Sequence, residues 1–329
     1  MIEHQKYVVL INTLQESNAA DIKELSIKLD YDIETIKERV KALVEFGAPL
    51  KITDQHISLI ENSCIELLSP LVIRESLDTL TNQKEVDLYL FVNIASTNQY
   101  LKKFKTVSGQ KSIVSIAECQ TAGVGRFGRC WISPFGGNIY FSMLTKVVVP
   151  AHKLGPFSLV VGISVIETLR LFGLKDLNLK WPNDIYYNGK KLSGVLIEIV
   201  AQDKNSVDLI IGIGINVKME NSYNANIEQE WVDLFTITED RSISRNKIIA
   251  SLINTLHRSI KKYEADGFSQ FRDIWKDVDY LFGKNIHTIG TKNQYSGIAK
   301  GITANGELLI DSNGNMVKIS SGEVSVRLT

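Results

Sequence analysis

Cysteine, proline and histidine are scarce in these 329 residues, with counts of three, six and five. Cys64, Cys119 and Cys130 are odd in number, show no CxxC spacing and have no histidine nearby, so neither a disulfide framework nor a zinc site is indicated. A reducing compartment is the simplest expectation. None of His4, His56, His152, His257 and His287 lies in the segments that carry the chemical signals below, which disfavours a histidine-activated serine. Long apolar runs are missing too. The longest, Phe157 to Ile166, is half of the roughly 20 residues a membrane-spanning helix needs. The start, MIEHQKYVVLINTLQESNAAD, has no basic region before its apolar stretch and carries Glu3 ahead of Lys6, unlike a secretory signal. A cytoplasmic protein with no membrane partner is therefore expected. Biased tracts are also absent, and 44% hydrophobic with 22% charged residues is ordinary globular usage, so disorder cannot dominate.

Net charge is zero, but unevenly spread. Residues 1–66 hold 12 acidic against 7 basic side chains, a balance of −5, and the rest of the chain carries +5. That works against strong nonspecific nucleic-acid binding by the first unit and leaves the positive excess where an anionic small molecule can use it. The length suits two or three units, each able to bury a core.

The opening segment reads as three short helices and a hairpin. Val8, Ile11 and Leu14, then Ile22, Leu25 and Leu29, then Ile33, Ile36, Val40, Leu43 and Val44 recur at helical spacing. Asp21 and Asp32 stand at N-cap positions, and Gly47 stands where a glycine would stop the third helix. LKITDQHISLI alternates like two strands, completing the order of a winged helix-turn-helix over 1–66; a small helical interaction domain is the alternative. From 67 to 281 strand-like runs (VDLYLFVN, SIVSIAE, GNIYFSML, DLIIGIGINV) alternate with helical ones, giving an α+β domain of catalytic size. Residues 282–329 read as a small β-barrel, with Asn305-Gly306 and Asn313-Gly314 favouring type I′ turns.

The densest chemical signal is AECQTAGVGRFGRCWISPFGGN. Gly123, Gly125 and Gly128 follow a strand at dinucleotide-fingerprint spacing, but no crossover helix follows them, which argues against a Rossmann fold, and no Gly-Lys-Ser/Thr ends the run as a P-loop would. What remains is a glycine loop with Arg126 and Arg129, two of ten arginines in the chain, suited to phosphate or carboxylate oxygens; solvated surface arginines are the plainer alternative. Ser96-Thr97-Asn98 opens the helix QYLKKF, where a simple capping role also explains it. LKWPNDIYYNGKKLSGVLIEI reads as strand, Trp-Pro turn, short strand, Asn188-Gly189 hairpin and a further strand opening with Lys190 and Lys191. A lysine there can bridge a carboxylate and a phosphate and lower their repulsion, or simply lie exposed beside a turn. Asp184 near that turn can meet Mg2+ as a hard oxygen donor. Asn216 ends GIGINV, where its amide can face an adenine edge or merely pair with backbone.

Taken in this order, STNQY, AECQTAGVGRFGR-W, KWPNDIYYNGKKLSGVLIE and GIGINV resemble the biotin protein ligases, and the flanking units resemble the bifunctional kind that also represses a biotin operon. The resemblance implies a class II synthetase-like central domain and an SH3-like barrel at the end. It also implies a reaction: biotin and Mg-ATP give biotinyl-5′-AMP and pyrophosphate, and a lysine of the biotin carboxyl carrier protein then displaces AMP. By resemblance, Ser96, Thr97, Asn98 and Gln120 match the polar end of biotin, and the loop Gly123, Val124, Gly125 and Arg126 surrounds its carboxylate. Lys191 matches the lysine that meets both biotin and the reacting phosphate, with Asp184 a carboxylate in the catalytic site. Arg126, Arg129, Trp131, Lys191 and Asn216 match nucleotide contacts, and Mg2+ arrives with ATP rather than at a fixed protein site. The family's loop usually has arginine where this chain has Val124.

The bifunctional kind further implies a homodimer when the adenylate is bound, and operator DNA as partner. Lys37, Arg39 and Lys41 on the third helix would face it, against Glu34, Glu38 and Glu45. Three rivals stand beside this reading: a lipoate ligase or octanoyltransferase, a regulator that binds biotin without ligating it, and a ligase whose first unit serves protein contact.

Overall fold

The computed structural model describes residues 4–17, 19–60, 66–78, 86–104, 106, 111–219, 227, 229–239, 243–290, 294–322 and 324–329. The first unit contains α1 (His4–Ser17), β1 (Ala19–Asp21), α2 (Ile22–Leu29), α3 (Ile33–Glu45), β2 (Leu50–Ile52) and β3 (His56–Leu59). Asp21 accepts from the Lys23 and Glu24 amides and Asp32 from that of Thr35, so both predicted N-caps form and fix where α2 and α3 start. Capping holds the Asp21 and Asp32 carboxyls below the usual range, through the Glu24 backbone in the first and the Thr35 side chain in the second. One strand beyond the expected hairpin is present: β1 pairs antiparallel with β3, giving the order β1-β3-β2.

After α4 (Pro70–Glu75) come β4 (Val86–Ile94), α5 (Thr97–Leu101), β5 (Ser112–Gln120), β6 (Asn138–Val147) and α6 (Phe157–Arg170). Next follow β7 (Leu177–Lys180), β8 (Asp184–Tyr187), β9 (Lys190–Gln202) and β10 (Val207–Asn216). These strands form a seven-stranded sheet in the order β4-β5-β6-β10-β9-β8-β7, in which only β4 and β5 are parallel. The central strands are buried along nearly their whole length, which explains their continuous apolar runs. The longest apolar run is helix α6, buried over most of its surface. It packs against the amphipathic α8 (Arg245–Asp266), which follows α7 (Leu234–Thr238) and precedes α9 (Arg272–Val278). Among the described residues, no helix is long and apolar enough to cross a membrane.

The chain ends in a five-stranded antiparallel sheet made of β11 (Asn285–Ile289), β12 (Ser296–Ile302), β13 (Leu308–Ser312), β14 (Asn315–Ile319) and β15 (Ser325–Leu328), in the order β14-β13-β12-β11-β15. Asn313 (φ 54°) and Gly314 (φ 84°) both take the positive φ a type I′ turn requires, as expected. At Asn305-Gly306 only the glycine does (φ 77°), because Thr303 caps this turn: its hydroxyl accepts from the Asn305 and Glu307 amides. The type I′ expectation is corrected there.

Candidate active site

Four segments far apart in sequence line one cavity of about 420 Å³. Its first wall is neutral and dense in hydrogen bonds. Gln120, at the end of β5, accepts from the Thr97 amide at 2.9 Å and donates to Ser133 Oγ at 3.1 Å. Asn98 donates to Glu198 of β9 at 2.9 Å, and Ser142 Oγ of β6 lies 2.7 Å from Thr97 Oγ1 and 2.5 Å from Asn98 Oδ1. Thr97, Asn98, Gln120 and Ser142 are each held by a neighbour, which suits a ligand head read by hydrogen bonds rather than by charge. Ser96 stands at the N-cap of α5 but makes no side-chain cap bond, so the plain capping alternative falls for it.

The opposite wall is cationic. Lys191, the second residue of β9, has its Nζ 2.9 Å from Asp184 Oδ1 and 5.4 Å from the centroid of the Trp131 ring. Lys180, Arg126, Arg129 and Arg327 line the same space. Burial pushes the Lys180 ammonium down to about 8, and the neighbouring Arg327, Lys191 and Arg129 add to that while Asp184 opposes it. So many cations around one carboxylate form a site that gains from a polyanion. Asn216 ends β10, its amide donating to Val232 O at 3.2 Å and Lys191 O at 3.4 Å, so the amide is held by backbone as well as lining the cavity. Among the described residues, no three His, Cys, Asp or Glu side chains gather into a metal-binding group.

Between the walls runs the glycine loop, pinned into a narrow hairpin by Gly125 N to Arg129 O at 2.7 Å and Trp131 N to Gly123 O at 2.9 Å. No crossover helix follows it, as the sequence indicated; a single 3-10 turn at Arg126–Gly128 leads into coil. Arg126 and Arg129 are not free surface arginines. Arg126 donates to Asn183 Oδ1 at 3.3 Å and to the carbonyl of Ser321, in the turn between β14 and β15, and Arg129 donates to Ser325 Oγ of β15 at 3.0 Å. Val124 is 39% exposed and lines the cavity.

Ser96, Thr97, Asn98, Gln120, Val124, Gly125, Arg126, Arg129, Trp131, Asp184, Lys191 and Asn216 all line this one cavity. Gly123 does not, but lies directly behind it: a Cβ there would stand 2.5 Å from Trp131 O and 2.7 Å from Ser133 Oγ. Lys37, Arg39 and Lys41 lie on α3, away from it. The sequence reading missed Lys180, Asn183 and Glu198, although all three stand in the quoted LKWPNDIYYNGKKLSGVLIEI segment, and it missed Ser142 and Arg327, for which no local signal existed. Cys119 is buried, its thiol pushed up to about 12 by desolvation, as a small core residue should be. Cys130, in contrast, is exposed and lines the cavity. Cys64 lies outside the described residues.

Fold and site together define an enzyme class that activates an acyl carboxylate against a polyanion. Residues 90–216 match the model of the biotin/lipoate A/B protein ligase family, and residues 281–327 match the biotin protein ligase C-terminal domain. The bifunctional ligase/repressor BirA of Salmonella typhimurium is 31% identical over 323 residues, covering 97% of each chain. BirA of Escherichia coli is 35% identical over 71% of this chain and 72% of its own. The biotin protein ligase of Aquifex aeolicus, solved in complex with biotin and ATP, superposes with a TM-score of 0.63 at 30% identity, covering 74% of this chain and 99% of that one. The chain therefore belongs to the biotin protein ligase family.

Proposed function

We propose that this protein activates biotin with Mg-ATP to biotinyl-5′-AMP and transfers the biotinyl group to a lysine of the biotin carboxyl carrier protein of acetyl-CoA carboxylase. The observation that carries this reading is the polarity of the cavity, neutral and hydrogen-bonding at Thr97, Asn98 and Gln120, cationic at Arg126, Lys180 and Lys191. Such a site accepts a ligand with a ureido-like head and brings its carboxylate towards a phosphate.

In the first step a biotin carboxylate oxygen attacks the α-phosphorus, and the bond to the pyrophosphate oxygen breaks. Two anions must approach, and Lys191, held by Asp184, supplies the charge that lowers their repulsion, with Arg126 and Lys180 beside it. Asp184 would also be the hard oxygen donor for the Mg2+ that arrives with ATP, and that ion would supply neutralisation of phosphate charge. Trp131 and Asn216 are assigned to the adenine end, and the glycine loop to shielding the mixed anhydride from water. In the second step the acceptor amine attacks the acyl carbon, loses a proton and expels AMP.

The reading divides the chain into a winged helix-turn-helix (1–66), a catalytic domain (67–281) and an SH3-like barrel (282–329). The first unit would bind operator DNA of biotin genes through Lys37, Arg39 and Lys41, as a homodimer formed when the adenylate is bound. A cytoplasmic protein fits these partners.

Intact-mass analysis of a biotin carboxyl carrier domain incubated with the protein, biotin and Mg-ATP tests the reaction. A biotin-sized increase is expected, lost without ATP and lost in a folded Lys191→Ala variant. An unmodified carrier with biotin still bound would instead support a regulator that only senses biotin, and labelling by lipoate in competition would support a lipoate ligase.

A further inference from the structure

A buried charged cluster behind the cavity takes no part in the chemistry above. Glu118 (0% exposed) and Arg245 (2%) form an ion pair, Arg245 Nη2 donating to Glu118 Oε2 at 2.8 Å, and neither lines the cavity. Arg245 opens α8, and its other nitrogen, Nη1, donates to the carbonyl of Asn138 at 3.1 Å, while Nη2 also reaches the Glu66 carbonyl. Glu118 Oε1 accepts from the Leu68 amide at 2.6 Å and from Tyr7 of α1 at 3.4 Å.

The strands at the two ends of this pair are those that carry the two ends of the site. Glu118 stands two residues before Gln120 on β5, on the same face of the strand. Asn138 opens β6 directly opposite Asn216 of β10, and its side chain accepts from the Val217 amide at 3.0 Å. One guanidinium fork thus ties the strand end bearing Gln120 to the strand end bearing Asn216. The ladder pairs β5 with β6 only from Ile113 to Ala117, and beyond it the end of β5 is joined to the segment before β6 by two backbone bonds, Gly136 N to Glu118 O at 2.9 Å and Gln120 N to Ser133 O at 3.3 Å, to which the guanidinium adds the one link that reaches Asn138. Removing two charges from water is costly, and apolar pairs of similar volume often replace buried ion pairs without loss of stability. Stability alone therefore gives no reason for this pair, whereas fixing the distance between two ligand-binding ends does.

We propose that Arg245 and Glu118 are positioning residues that hold the biotin-binding and nucleotide-binding ends of the cavity at their working separation. The proposal rests on the ligase reading. Its test is steady-state adenylate formation by the full chain, with KM for biotin and for ATP, kcat and melting temperature measured on the same preparations. Arg245→Lys keeps the charge but cannot span both acceptors, and Glu118→Gln keeps the shape. Each is expected to raise both KM values, with kcat/KM falling about tenfold or more, since misplacement by an ångström has effects of that size. Arg258→Lys is the control: that arginine lies on the same helix, paired with Asp78 on the surface, and its replacement should move neither KM. Lowered melting with both KM values within about twofold of wild type overturns the proposal. Failure of both variants to fold also overturns it, because the pair would then serve folding itself. An inactive wild-type chain would remove the ligase reading and this inference with it, whereas an active wild type with unaltered variants removes only the inference.

Discussion

Single side chains in this structure hold charge states that folding makes unfavourable. Asp279 follows α9, its Oδ1 accepting from the Leu281 amide at 3.0 Å, and burial raises its carboxyl to about 6 although that bond and Lys284 pull the other way. In the unfolded chain it titrates near 3.8. Between these values the folded protein binds the extra proton, so stability contributed by the neutral form falls as pH rises from about 4 to about 6 and stays lost above. Asp279→Asn keeps an acceptor for Leu281 and removes the charge. It is expected to raise stability at pH 7 by up to about 3 kcal/mol and to have little effect near pH 4. Melting curves for both proteins across that range check this, and a gain independent of pH would refute it.

At the scale of elements, β10 shows how a strand is shaped by the site it floors. Gly212 pairs with Ser142, and a Cβ there would collide with Asn98; a Cβ on Gly214 would collide with the Trp131 ring. These glycines are absences that let two side chains lie flat on the sheet. Gly212→Ala is expected to raise KM for biotin chiefly and Gly214→Ala KM for ATP chiefly, each by about tenfold or more, because each displaces a different end of the ligand. Equal effects of both variants on both substrates would contradict that division. Helices and strands were legible in the sequence because periodicity and caps are local: Asp21, Asp32 and Asn188-Gly189 mark boundaries that the structure keeps. The segments bearing Thr97, Gln120, Lys191 and Asn216 were legible for the same reason. The contacts of Ser142 and of Glu198 with Asn98 were not, although Glu198 stands in the same segment as Lys191, since they arise only through the register of β6 and β9 on β10.

At the scale of the whole molecule, one buried apolar cluster runs from Tyr7 and Leu10 of α1 through the central sheet to Val326 of β15, so the three units share a core. The loop arginines reach the C-terminal sheet across almost 200 residues of sequence, contacts that no spacing rule could reveal. The first unit's outer face bears on the proposed operator binding. Lys37 is drawn to Asp54 at 3.4 Å, and Arg39 stacks over the Tyr31 ring at 4.1 Å, which leaves Lys41 exposed on α3. Each phosphate contact contributes affinity and about one unit to the dependence of log K on log salt, so a face with two of three cations engaged binds weakly as a monomer. Two half-sites joined in an adenylate-bound dimer would add their contributions. Asp54→Asn releases Lys37 towards DNA, and adenylate-loaded protein carrying it is expected to bind operator more tightly, with a salt slope steeper by about one unit per protomer. Fluorescence anisotropy titrations at several salt concentrations measure both quantities. An unchanged slope would mean that α3 does not face the phosphates and that the first unit serves another contact.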